Sequence, residues 1–202
     1  MAEDMRGAEQ SVSLDEGQVA DLVERLGSRR RRQRQDAAHM LALGAQTQED
    51  AKLLVPHVDA LIEALELPEA QTRWEVLTAL GQVALVDASL VEDAYDGAEA
   101  SLFDEDSAIA RLAAFRFLVR LGASSPARSA MVWNILDEAI QCYHGDPEYR
   151  AMLVALLEFA GGDLDGEVRD ALIARVGFDA DNATGELRAM STEIVGVAKG
   201  EA

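Results

Sequence analysis

The sequence predicts an all-α superhelix, a solenoid of about five stacked helix pairs, on three observations. Apolar residues recur three and four positions apart, and no segment alternates with period two over the length of a strand. Arg34, Arg73, Arg111, Arg150 and Arg188 fall 39, 38, 39 and 38 positions apart, each near the start of an apolar helical stretch. Of the 202 residues, 49% are hydrophobic but only 5% aromatic, so the core must be built from Ala, Leu and Val. A repeat of this length marks units that cannot bury their own apolar faces without neighbours.

Residues 1–12 carry acids, Gly, Gln and Ser without an apolar period and read as a disordered tail, with a single repeat domain over 13–202. Ser13 to Glu16 has the S-x-x-E spacing of a capping box. Val19, Leu22, Val23 and Leu26 then share one stripe of a first helix that ends at Gly27. Continuing in this way places helix pairs at 14–46, 48–86, 88–124, 126–161 and 163–199. After each of the first four ladder arginines the text is alike in kind, as in Ala37-Ala-His-Met-Leu41, Val76-Leu-Thr-Ala-Leu80, Ala113-Ala-Phe115 and Met152-Leu-Val-Ala-Leu156. Gly44, Gly81, Gly122 and Gly161 then read as helix C-terminal caps.

The stretch Leu53-Leu-Val-Pro56 through Leu65, followed by Pro68 and Arg73-Trp-Glu-Val-Leu-Thr-Ala-Leu-Gly81, resembles a HEAT repeat of the HEAT/armadillo-like family. Leu102-Phe-Asp104-Glu-Asp106, then Arg111-Leu-Ala-Ala-Phe115 and Leu121-Gly122, is similar. The resemblance covers nearly the whole chain beyond Ser13. It implies that the second helix of each pair lines a concave face and that the ladder arginines link neighbouring units. No repeat has an intact Asp-Pro between its helices, Asp146-Pro147 being nearest, and the unit around Arg188 is degenerate, as a capping end repeat is expected to be.

With 37 acidic and 18 basic side chains the formal charge is -19, which argues against a surface that binds phosphate backbones throughout. The lone cysteine, Cys142, excludes an intrachain disulfide. No basic segment followed by an apolar run succeeds Met1, and the longest clean apolar stretch, Ala151 to Leu157, is far short of the ~20 residues of a membrane span. A cytoplasmic protein is the expectation. Arg29, Arg30, Arg31 and Arg32 form the strongest local charge feature. Residues 1–45 hold seven basic and eight acidic groups, whereas 46–202 hold 11 and 29. Four cations at a helix start oppose its dipole, so Asp21, Glu24 or a partner is expected to compensate. In each later unit acids precede the ladder arginine (Glu69, Asp106, Asp146 with Glu148, Glu186), which assigns the ladder to structural ion pairs between repeats.

Catalytic signatures are missing. His39, His57 and His144 lie in different units without zinc-ligand spacing, and the run Asp104-Glu-Asp106 lacks the Gly and distal Glu of a calcium loop. Cys142 and His144, two apart at a helix end, point different ways, and a lone cysteine at helical spacing from Ile135 and Ala139 reads as core. Trp74 and Trp133 read as inter-repeat core. The expectation is a non-catalytic protein-protein interaction or scaffolding module without cofactor or metal. Arg29, Arg30, Arg31, Arg32, Glu75, Arg116, Arg120 and Glu158 are its exposed partner-binding candidates. Two alternatives remain: a nucleic-acid-binding or processing protein resembling HEAT-like DNA glycosylases, and a lyase-type or maturation chaperone. Arginines converging with Trp74 or Trp133 in one groove favour nucleic acid; a mixed or acidic groove does not.

Overall fold

The computed structural model describes residues 12–201, so the tail reading at 1–12 lies outside the described residues except for Val12. The first helix, α1 (Glu16–Leu26), is capped by Asp15 and not by Ser13. The Asp15 carboxylate accepts the Gln18 amide at 2.8 Å, and the Asp15 amide donates to Gln18 Oε1 at 2.9 Å. This Asp-Gln pair satisfies the same two orphan donors as the expected Ser-Glu pair, two residues further on. Val19, Leu22 and Leu26 form its buried stripe, and α2 (Arg31–Gly44) completes the first pair.

In the second pair the first element is broken into α3 (Gln48–Ala51), a 3-10 stretch Lys52–His57, α4 (Val58–Glu63) and a 3-10 turn Ala64–Glu66. Pro56, with no amide to donate and a ring that crowds the preceding turn, lies within the interruption. The long α5 (Ala70–Asp87) follows. A 3-10 stretch Ala88–Ala94 and α6 (Tyr95–Leu102) lead into α7 (Ala108–Ala123). The fourth pair is α8 (Pro126–Cys142) with α9 (Tyr149–Ala160), and the fifth α10 (Gly166–Asn182) with α11 (Gly185–Lys199). The segment 70–102 is apolar enough by composition to cross a membrane, yet half of its most apolar window is buried inside the stack.

The second helices α2, α5, α7, α9 and α11 pack directly on one another in sequence, whereas the first helices of successive pairs touch sparsely. Crowding one layer and spreading the other curves the stack, with the second helices on the inner side. One apolar core runs through it from Val19 to Ala198. The central α7 buries nine positions and is apolar over most of its circumference, as expected of a helix with neighbours on nearly every side.

Three of the four glycines read as caps do something else. Only Gly161 caps a helix; Gly81 lies inside α5, Gly122 inside α7, and Gly44 is the last residue of α2 before its cap Ala45. Each sits where another element presses close. A Cβ on Gly44 would meet the Leu14 side chain, one on Gly81 would lie 3.3 Å from Arg120 Nη1, and one on Gly122 would lie 2.4 Å from Val132 Cγ2.

The ladder arginines tie the pairs together by one rule. Arg34 donates to the Ser28 carbonyl of its own turn at 2.7 Å and to Glu69 of the next pair. Arg73 does so with Leu67 O, 3.0 Å, and Asp104, and Arg111 with Asp104 O, 2.9 Å, and Glu148. Arg150 pairs with Glu186, whereas Arg188 has no ion pair among the described residues. The acid ahead of one arginine thus serves the arginine of the preceding repeat.

Candidate functional site

The inner face is built from side chains that the stack leaves pointing away from its core. On α7, positions 109, 112, 116 and 120 fall on one stripe, being three or four apart. The repeat spacing aligns this stripe with its neighbours. His39, Thr78, Arg116 and Val154, 39, 38 and 38 positions apart, form one row across α2, α5, α7 and α9. Gln82, Arg120 and Glu158, each 38 apart, form a second row. Within this surface the Ile109 and Val154 side chains are open to water, at 57% and 56% exposure.

The charges along it are tied to different degrees. His39 Nδ1 lies 2.8 Å from Glu75 Oε1, and the Glu75 side chain is only 13% exposed. Glu75 was expected to be exposed; the descent of α2 beside α5 covers it. Arg120, also expected to be exposed, is folded against Gly81, where the absent side chain leaves room for its guanidinium. Its Nε stands 3.4 Å from Glu158 Oε1 but makes no hydrogen bond, and the atom is buried. Arg116 and Glu158 do face solvent, and Arg116 has no ion pair among the described residues.

The arginine run lies at the other end of the layer. Arg30 is the N-cap of α2 without a side-chain cap bond, and Arg29, Arg30, Arg31 and Arg32 are all exposed. The crowding is relieved one turn on, where Asp36 pairs with Arg32 at 3.7 Å, and by Glu69, whose carboxylate feels Arg31. Asp21 and Glu24, the expected partners, make no ion pair among the described residues. Glu69 is held below the usual carboxylate value by its Arg34 hydrogen bond first, against the opposing effect of burial. Burial raises Glu148, but the Arg111 hydrogen bond and backbone bonding together hold it below that value.

A second concavity opens between α8 and α10 on the outer layer, about 280 Å³, lined by Ile140, His144, Tyr149, Arg175, Phe178 and Asp179. His144 Nε2 lies 3.0 Å from Asp179 Oδ2, and Arg175 is held by Asp137. Burial, aided by Asp179, pushes the Tyr149 phenol up to about 12. No nucleophile joins this cluster: Cys142, expected in the core, is exposed at the end of α8, where the helix turns its last residues to water. Trp133 is buried and stacks on Phe159 with centroids 6.1 Å apart, and Trp74 is partly buried against the core. Among the described residues the cation-ring contact is Arg111 over Tyr143, and none involves either tryptophan.

Sequence reasoning named Arg116, Arg120 and Glu158 but missed Ile109, Val154 and His39 as surface groups. Apolar periodicity assigns Ile109 and Val154 to the core, and only the way the helices stack leaves both open to water.

No known family model and no curated protein matches the chain. Solved structures do. A designed armadillo repeat protein superposes with a TM-score of 0.74 at 13% identity, over 91% of this chain and 83% of that one. An engineered protein from a structural genomics consortium gives 0.73 at 17% identity, over 99% and 95%. A designed armadillo repeat protein in complex with the peptide (KR)4 gives 0.72 at 14%, over 90% and 82%. The chain thus has the fold of a helical-repeat solenoid, similar to that of designed armadillo repeat proteins.

Proposed function

We propose that the chain is a non-catalytic binding scaffold that holds a peptide or an extended segment of a protein partner along its inner face. The observation that carries this reading is the row His39, Thr78, Arg116 and Val154: one outward side chain per repeat, evenly spaced on a continuous surface. An extended ligand crossing the row meets one contact per repeat, so many weak contacts add along a pre-formed track. That a similarly folded designed protein is seen with a peptide supports the mode of binding but not the ligand, since the two sequences share only 14% identity. Nucleic acid is the weaker reading, because Arg34, Arg73, Arg111 and Arg150 are held by acids of the next repeat.

The test is selection of binders from a random peptide display library, followed by hydrogen exchange on the complex. Slowed exchange in α5, α7 and α9, and loss of binding in Thr78→Tyr but not in the outer-layer Asp96→Asn, is the expected result. Peptides that protect the outer helices instead, or a library that yields none, would sink the reading.

A further inference from the structure

We propose that the segment bound along the inner face is acidic and aliphatic, with α7 as the helix that reads it; this rests on the peptide-binding reading above. One carboxylate of the ligand is held by Arg116 and Arg120, and its aliphatic neighbours seat on Ile109 and Val154.

The first support is how the fold sorts charge. The five second helices together carry ten basic and six acidic groups, a net of +4. All other residues carry eight basic and 31 acidic groups, a net of -23. Arg34, Arg73 and Arg111 of that layer pair with Glu69, Asp104 and Glu148 just outside the helix bounds, so in a strongly anionic chain the inward layer is close to neutral, net +1 with those acids included. Within it α7 holds Arg111, Arg116 and Arg120 and no acid at all. Arg111 is consumed by the ladder, which leaves Arg116 and Arg120 for a ligand.

The second support is a pair of adjacent guanidinium groups. Arg116 is exposed and has no ion pair among the described residues, and Arg120, although its Nε is buried, keeps 24% of its side chain open to a carboxylate. Arg116 and Arg120 are one helical turn apart, roughly 5 to 6 Å between Cβ atoms, which one carboxylate or two adjacent ones can bridge. Of the nearby acids, Glu75 is held by His39 and largely covered, whereas Glu158 stays 42% exposed beside Arg120, so the open negative charge over this face is that one carboxylate.

The overall charge of -19 does not cancel this local field. The outer layer lies one helix diameter away, about 10 Å, and the screening length at physiological salt is about 8 Å. A ligand on the inner face is governed by the arginines it touches, and the acidic outer layer keeps acidic segments from binding elsewhere.

The experiment sequences the peptides enriched on the full chain and follows one by fluorescence anisotropy, with circular dichroism checking that each variant keeps its helices. Asp or Glu beside Leu, Ile or Val should dominate the enriched pool. Arg116→Glu, on an exposed position, should weaken the selected peptide about tenfold or more, and Val154→Ser by a smaller factor. An enriched pool that is basic or uncharged, bound at the inner face and lost in Thr78→Tyr, overturns this inference while leaving the scaffold reading in place. Binding indifferent to both Arg116→Glu and Thr78→Tyr overturns both. A labelled single-stranded oligonucleotide binding more tightly than the selected peptide, and lost in Arg116→Glu, also overturns it.

Discussion

Arg111 and Arg150 hold the same place in successive repeats, but their surroundings set very different values on them. The Arg111 side chain is 14% exposed and its partner Glu148 9%; the guanidinium also caps the Asp104 carbonyl and stands 5.0 Å from the ring centroid of Tyr143. Arg150 and Glu186 are 69% and 55% exposed. Removing Arg111 strands a buried carboxylate, so Arg111→Ala should cost about 3 kcal/mol in denaturant unfolding. Arg150→Ala should cost no more than about 0.5 to 1 kcal/mol, because water already screens that pair. Equal losses at the two sites would show that the ladder is not graded by burial. The arginine period is legible in the sequence, but this gradient is not, because it depends on what the neighbouring repeat covers.

Among the elements, α7 and the glycines show where pattern and packing part. The sequence places α7 and its length correctly, since the run from Ala108 to Ala123 is apolar with a ladder arginine near its start. It does not reveal that Gly122 lies inside the helix, against Val132 and Phe159. A glycine at the end of an apolar stretch reads as a cap because local chemistry offers that use; close approach of a second helix is a nonlocal fact. Gly122→Ala should therefore destabilise, even though alanine is the better helix former by about 1 kcal/mol. Overpacking at this contact is expected to cost about 1 to 3 kcal/mol, measured as a lower unfolding midpoint. A stabilised Gly122→Ala would mean that α8 and α9 can move aside freely. The broken first helix of the second repeat has a similar lesson in reverse. Pro56 marks it in the sequence, because a missing amide acts locally.

For the whole molecule, charge governs the response to pH. Glu69 and Glu148 both bind protons less readily in the folded chain than at the usual glutamate value of 4.5. A carboxylate with a depressed folded value stabilises the fold above its unfolded value, and that contribution is lost as pH falls through the folded one. The thermal midpoint should thus stay level from about pH 8 to 5 and fall below about pH 4.5. A decline already complete above pH 5, followed by circular dichroism, would contradict ladder control of acid stability.

By itself the sequence determined the all-helical class, the five pairs, their boundaries to within a few residues and four linking arginines, Arg188 being the ladder position that makes no ion pair among the described residues, because periodicity and side-chain chemistry repeat along the chain. Only the tertiary structure decided that Glu75 and Arg120 are largely covered while Ile109 and Val154 are open, that Cys142 lies outside the core, and that Arg116 stands exposed on the inner layer without an ion pair among the described residues. The reason is physical. Exposure and field at a residue are set by the repeats stacked on either side of it, which lie some 38 positions away and leave no trace in its local sequence.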